Sequence, residues 1–351
     1  MDTMKRACFL FGGRSSEHGV SITSVRSVLS SYTSKKFEVT IAGLDFKNRL
    51  QFFSKEEFFE RFQPYSRFEV ADNPSYLEDL KKFDVVFPLM HGDYAEDGSV
   101  QGALRLLGVP FVGASVLSSA LCWDKEVAKR LLVQAGLKVS DWVCVGPYDT
   151  VYLEILEKKI GYPCFVKPAA SGSSIGVSKV KGRQDLIIAL DEAKKFSSKV
   201  LVEKAIRGIE LECAVLGLDD PVVSKVGQVI PKNEFYDFEA KYILSEGATV
   251  EAPAPIPEEL QYQVRQQALS VFRILECDVM ARVDFFYDGT LYVNEVNTIP
   301  GFTPISLYPK LLNLSGVSYT TLIDSLLQMS LENHLRKEWE APPVPKAQYH
   351  L

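Results

Sequence analysis

Residues 167–180, KPAASGSSIGVSKV, set a lysine before a run of almost only small residues and then return to a strand-like pattern. Glycines let main-chain N–H groups approach an anion and serine hydroxyls add donors, so the stretch suits a phosphate. A solvated surface loop accounts for the same composition. A second stretch, RVDFFYDGTLYVNEVNTIPG at 282–301, is more informative. Asp288-Gly289 between two alternating runs signals a two-residue hairpin turn, which pairs Tyr287 with Thr290, sets Asp284 opposite Val293 and sets Arg282 opposite Glu295. Side chains alternate along a strand, so Arg282, Asp284, Glu295 and Asn297 share one face. Carboxylates and an amide so placed need a positive partner. Oxygen donors of this kind suit Mg2+, which takes few protein ligands and completes its shell from phosphates and water. An Arg282–Glu295 cross-strand pair on a solvent-facing edge is the alternative, and it leaves Asp284 and Asn297 without a purpose.

Three further stretches carry polar groups. In KVLVEKAIRGIELECAVL, Glu203, Lys204, Ala205 and Ile206 follow a strand and offer backbone groups beside an apolar wall, as an adenine needs, and Glu210 is spaced to reach a ribose hydroxyl. Solvated charges at a strand end read the same way. GGRSSEHGVS looks like an anion loop at a helix N-terminus. HGDYAEDGSVQG gathers His91, Asp93, Glu96 and Asp97, yet with four histidines in the whole chain a catalytic zinc centre is not expected, and substrate recognition or loop anchoring is the better reading. No GxGxxG dinucleotide fingerprint or GxxxxGK[ST] phosphate loop occurs, and nucleophilic hydrolysis by a Ser/His/Asp elbow is not expected.

These residues must be positioned by more than one folding unit, because 351 residues exceed one ordinary core. The first third alternates strand and helix signals: ACFLFGG, then Ile22, Val25, Val28, Leu29 and Tyr32 at helical spacing, then FEVTIAGLD, FDVVFPLMHG and GSVQGALRLLGVPFVG. That order predicts a parallel sheet with functional loops at its carboxyl ends. Asp124 caps a predicted helix that Gly136 ends. PCFVKP and GVSKV, joined by the small-residue loop, predict a flap in a smaller α+β unit. IELECAVLG alternates as a half-buried strand does, and Pro257 suits the first turn of a helix carrying Leu260, Val264, Ala268, Val271 and Leu275 on one face. The polar, aromatic segment near 233–250 is long for a plain connection and predicts a lid; the tail after about residue 338 reads as loose. The expected units are 1–120, 121–203 and 204–351. A net charge of −6 provides no global attraction to nucleic acid or an anionic membrane, six scattered cysteines form no CxxC pair, and the N-terminal apolar run is too short for a signal or span. A cytoplasmic chain with reduced thiols is expected.

In order and spacing, FLFGGRSSEHGVS, HGDYAEDG, DKEVAK, FVKPAASGSSIGVSKV, VEKAIRGIE, FYDFEAKY and RVDFFYDGTLYVNEVNTIPGFTPISLYP resemble the D-alanine–D-alanine ligases of the ATP-grasp superfamily over nearly the whole chain. The resemblance implies a mixed α/β and α+β fold of three domains, with an N-terminal parallel-sheet domain before the ATP-grasp pair. It implies ATP as co-substrate, with Lys125 and Lys167 on its phosphates under Ser173 and Ser174, Glu203, Lys204 and Ile206 around adenine, and Glu210 on the ribose. Asp284, Glu295 and Asn297 correspond to ligands of two Mg2+ ions, with Mn2+ as an alternative. Glu17 corresponds to the partner of the first D-alanine's ammonium, with Ser173 and Tyr242 completing its network and His91 lining that subsite. Lys241 corresponds to a γ-phosphate contact, Arg282 and the Gly301 amide to oxyanion stabilisers, and Ser306 to a contact for the second substrate's carboxylate. A homodimer is implied too. One position departs: the family usually reads HGxxGEDG, and Ala95 replaces a glycine there, at about 1 kcal/mol if a positive φ is needed.

The implied activity joins two D-alanines through an acyl phosphate for peptidoglycan precursors. A ligase for another D-amino acid or for D-lactate is the near rival, and Tyr242 in EAKY speaks within this family against the D-lactate form. A non-catalytic nucleotide-binding regulator is the rival of another class, and it would not need Arg282, Asp284, Glu295, Asn297 and Ser306 together.

Overall fold

The computed structural model describes residues 4–70, 74–231 and 248–340. β1 (Lys5–Gly12) is buried from Ala7 onward because it lies between parallel neighbours, β2 (Phe37–Leu44) on one side. β3 (Leu50–Phe53) adds an antiparallel edge to β2, and β4 (Val85–Pro88) runs parallel to β1 on its other side. The predicted strand around Phe111 reduces to one parallel bridge with Val86. β1 therefore has β2 to one side and β4 to the other, and the carboxyl ends of β1 and β4 flank a switch point where sheets of this kind open a crevice. The segments GGRSSE and HGDYAEDG both leave from that edge.

The antiparallel β3 and the helix Lys55–Arg61 are not marked by alternation in the sequence. Ser54 and Glu57 form a capping box, and Phe11 gathers Phe53, Phe58, Phe62 and Phe68 at ring separations of 5.2 to 6.1 Å.

The second sheet is small and antiparallel: β5 (Trp142–Val145), β6 (Cys164–Pro168), β7 (Ser178–Val180) and β8 (Val200–Lys204), in the order β5-β8-β6-β7. β6 and β7 pair as the predicted flap, with the small-residue loop between them. The third sheet is antiparallel: β9 (Ile209–Gly217), β10 (Val222–Pro231), β11 (Ala248–Glu251), β12 (Val279–Tyr287) and β13 (Leu291–Asn297), in the order β11-β10-β9-β12-β13.

Two expectations change here. β9 is buried from Leu211 onward rather than half-buried, because both faces of the sheet are covered. Leu211, Cys213 and Val215 join the core under the helix Glu258–Ile274, while Ala214 and Leu216 join the core shared with the helix Leu307–Leu314 and the first sheet. The alternation thus separates two interiors. Pro257 sits one position before the helix rather than in its first turn, and all five predicted face residues are buried.

Asp124 caps the helix Lys125–Gln134 by accepting from the Glu126 and Val127 amides at 3.2 Å, and Ala128 and Leu132 of that helix pack into the core of the third sheet. Its first residue therefore stands at the junction of the second and third sheets. Among the described residues no helix is long and apolar enough to cross a membrane. The helix Tyr319–Glu340 closes the described chain, and the tail 341–351 and most of the expected lid lie outside the described residues.

Candidate active site

Between the second and third sheets lies a cleft of about 370 Å³, the size of a small-ligand pocket. Lys125, Lys167, Ser173, Ser174, Glu203, Lys204, Ile206, Glu210 and Glu295, all singled out from sequence, line it together. β6 supplies Lys167, the flap loop the two serines, and β8 with its continuation Glu203 to Glu210. Ser173 and Ser174 have φ of 50° and 59°, a conformation that costs non-glycine residues about 1–2 kcal/mol each. Tertiary contact must hold them. Ser173 Oγ donates to the Glu17 carboxylate, which joins the flap to the first sheet's loop. Two glycines let Glu17 sit there, since a Cβ at Gly172 or Gly92 would come within 2.8 Å of its Oε2. In the GGRSSE loop, Ser15 Oγ accepts from the Glu17 amide at 3.0 Å, so that hydroxyl serves the loop itself.

His91 lies buried at the end of β4, its Nε2 2.9 Å from Ser24 Oγ. The acids around it anchor the turn: Glu96 accepts from the Gly92 amide at 3.1 Å, and Asp97 from the Tyr94 and Ser99 amides at 3.2 and 2.8 Å. Positive φ in this turn falls on Gly92, Tyr94 and Gly98 and spares Ala95, which is buried, so the alanine carries no such cost.

Glu203 is enclosed by cations. Its Oε2 lies 2.9 Å from Lys167 Nζ and its Oε1 3.2 Å from Lys129 Nζ. Burial alone would raise the Glu203 carboxyl; Lys129 and Lys167 more than offset this and hold its pKa below the usual value. Lys125 Nζ donates to the Ser171 carbonyl at 2.6 Å and lies 3.6 Å from Glu295. Lys129 closes the DKEVAK motif but has no role in the sequence reading. Its spacing of four from Lys125, within one predicted helix, is the signal that would have found it.

The hairpin corrects the predicted register. The turn holds three residues, with Tyr287 opposite Leu291. Alone, this would shift the pairing by one residue and bring Asn294 and Val296 to the face of Asp284. A bulge absorbs Asn294, so that Asp284 faces Glu295 and Arg282 faces Asn297. The expected shared face survives through two departures that cancel. The Arg282–Glu295 ladder pair does not form; Arg282 makes two 2.7 Å bonds to Asp284 and lies 2.9 Å from Glu212 of β9. Burial opposes the guanidinium charge, but Asp284 and Glu212 raise its pKa further above its already high value. Glu212 is a second residue the motifs miss, because its partner is set by the β9–β12 pairing.

Among the described residues no three His, Cys, Asp or Glu groups cluster as an all-protein metal cage. Asp284, Glu295 and Asn297 instead share one face of the hairpin, with Glu295 lining the cleft and both Asp284 oxygens bonded to Arg282; two carboxylates and an amide are an oxygen donor set of the kind that suits Mg2+ with a phosphate ligand. Gly301 lies against Ser306, whose Oγ accepts from the Thr303 amide at 3.0 Å. Lys241 and Tyr242 lie outside the described residues.

Gly208 lines the cleft where the chain crosses the hairpin turn, and a Cβ there would overlap the Tyr287 carbonyl. Gly208→Ala is expected to cost about 1–3 kcal/mol by overpacking and to weaken nucleotide binding. Urea denaturation and nucleotide titration check both.

Two antiparallel sheets clasping a lysine-lined cleft beneath a small-residue flap, with a parallel-sheet unit presenting Glu17 at its mouth, define an ATP-grasp protein. Residues 6–114 match the D-ala D-ala ligase N-terminus and residues 131–328 the D-ala D-ala ligase C-terminus. The D-alanine--D-alanine ligase of Thermoanaerobacter sp. (strain X514) is 43% identical over 361 residues, spanning 95% of this chain and 99% of its own. That of Coxiella burnetii superposes with a TM-score of 0.81 at 32% identity, over 96% of this chain and 97% of its own. The VanG D-Ala:D-Ser ligase of Enterococcus faecalis superposes at 0.80 and 33% identity, over 93% of this chain and 100% of its own. The chain belongs to the D-alanine–D-alanine ligase family.

Proposed function

We propose that this chain joins two D-alanines to D-alanyl-D-alanine for peptidoglycan precursors, converting ATP to ADP and phosphate. The observation that carries the reading is the single cleft in which Lys125, Lys167, Ser173, Ser174, Glu203, Glu210 and Glu295 meet, beside Glu17 and Arg282.

In this reading Lys125 and Lys167 hold the ATP phosphates under Ser173 and Ser174, Glu203, Lys204 and Ile206 frame adenine, and Glu210 takes the ribose. Asp284, Glu295 and Asn297 would hold Mg2+, which when bound offsets charge on the phosphoryl oxygens. Glu17 and His91 orient the first D-alanine, whose carboxylate attacks the γ-phosphorus and releases ADP, with Lys241 near that phosphate. The acyl phosphate formed reacts readily with water, so the flap and Tyr242 serve to exclude it. The neutral amine of the second D-alanine, its carboxylate received by Ser306, attacks the acyl carbon. Arg282 and the Gly301 amide steady the oxyanion until the C–O bond to phosphate breaks and the amine proton leaves. The units 1–120, 121–203 and 204–351, a cytoplasmic location and a homodimer belong to the same reading; the six free cysteines support the location.

The test is phosphate release from ATP and Mg2+ with D-alanine, L-alanine, D-alanine plus D-lactate, or D-alanine plus D-serine, with products identified by mass. Release that depends on D-alanine and yields its dipeptide is expected. Turnover with another pair alone would replace the substrate, and nucleotide binding without turnover would favour the regulator.

A further inference from the structure

Lys129 is 1% exposed and does not line the cleft, although it stands one helical turn from Lys125, which does. It donates to Ser140 Oγ at 2.8 Å, faces Glu203 Oε1 at 3.2 Å and lies 5.6 Å from the centre of the Trp142 ring. Lys167, on the cleft side, takes the other Glu203 oxygen at 2.9 Å. The order from the interior outward is Lys129, Glu203, Lys167. Apolar replacement of a buried ion group is often neutral or stabilising, so stability alone gives little reason for a lysine at 129.

Charge gives one. Glu203 with Lys167 alone is a neutral pair, and its carboxylate would cancel the field that Lys167 presents to an anion. A second cation behind the carboxylate leaves the trio with one net positive charge, in a wall where low polarisability lets that charge act strongly. Burial pushes the Lys129 ammonium down to about 8 and Glu203 limits the fall, so the group is predominantly charged at neutral pH.

We propose that Lys129 is a positioning residue that keeps the wall around Lys167 positive toward the nucleotide phosphates by sharing the charge of Glu203. This rests on the reading of the cleft as an ATP site, which wild-type nucleotide binding tests separately.

The experiment measures affinity for ATP, and for adenosine as a competitor lacking phosphates, in wild type, Lys129→Met, Lys129→Arg and the double variant Lys129→Met/Glu203→Gln. Lys129→Met is expected to weaken ATP binding about tenfold or more, as loss of one facing charge does, with adenosine unchanged. Lys129→Arg is expected to recover part of the loss. The double variant restores one net positive charge and leaves no buried carboxylate short of a partner, so it is expected to fold; Glu203 also frames adenine, so both ligands can weaken, but the ratio of ATP to adenosine affinity is expected to return to within about threefold of wild type. It therefore decides the matter even if Lys129→Met does not fold. Unchanged ATP affinity in Lys129→Met, equal losses for ATP and adenosine in that variant, or a double variant whose ratio of ATP to adenosine affinity stays about tenfold or more below wild type would each overturn the proposal. Absence of ATP binding by folded wild type would instead remove the reading beneath it.

Discussion

Arg282→Lys is expected to lower kcat by about a hundredfold to a thousandfold, the range seen when one donor to a developing oxyanion is lost, while ATP still binds. Lysine is the informative replacement. Arg282 is clamped by two bonds to Asp284 and a close approach to Glu212, so Arg282→Ala would strand two buried carboxylates at a cost of about 3–5 kcal/mol. Loss of activity in the alanine variant would then mix collapse of the site with loss of chemistry. Lysine keeps the charge that Asp284 and Glu212 require and removes the planar fork that can bond them and still face a substrate oxygen. Single-turnover kinetics, ATP titration and thermal melting on one preparation separate the effects, and undiminished turnover would refute the role assigned to Arg282.

Ser173→Ala is expected to uncouple the two halves of the reaction, releasing more phosphate than dipeptide. Ser173 Oγ donates to the Glu17 carboxylate across the gap between the flap and the first sheet. A hydrogen bond to a charged group contributes about 1.5–3 kcal/mol, which is roughly a tenfold to hundredfold shift from closed to open flap. The two positive-φ serines make the loop dependent on such outside contacts. An open flap admits water to the acyl phosphate, and the phosphate leaves without an amide forming. The ratio of phosphate to dipeptide reads this directly. A ratio that stays at one, with an unchanged KM for D-alanine, would show that the contact is not a latch; Glu17→Gln, which keeps an acceptor, is expected to fall between wild type and Ser173→Ala.

Much of this architecture is legible in local order. Asp124 and Gly136 bound their helix because capping and a positive φ are local needs. The helix Glu258–Ile274 shows its buried face through Leu260, Val264, Ala268 and Val271, since a helix repeats every 3.6 residues whatever covers it. The flap follows from two short strands and the small residues between them. Parity along β12 and β13 was enough to put Arg282, Asp284, Glu295 and Asn297 on one face, although the turn and the register inferred for them were different. That agreement came from the Asn294 bulge, which no alternation pattern records.

What only the tertiary structure decided is which distant groups meet. Ser173 reaches Glu17 because the carboxyl edge of the first sheet faces the flap, Glu212 reaches Arg282 because β9 pairs with β12, and Lys129 is buried because its helix is pressed between two sheets. The periodicity of a strand or helix states which face a side chain occupies. It contains no term for what lies opposite, because that depends on the order and packing of strands far apart in the chain, and the charge balance of this cleft is set there.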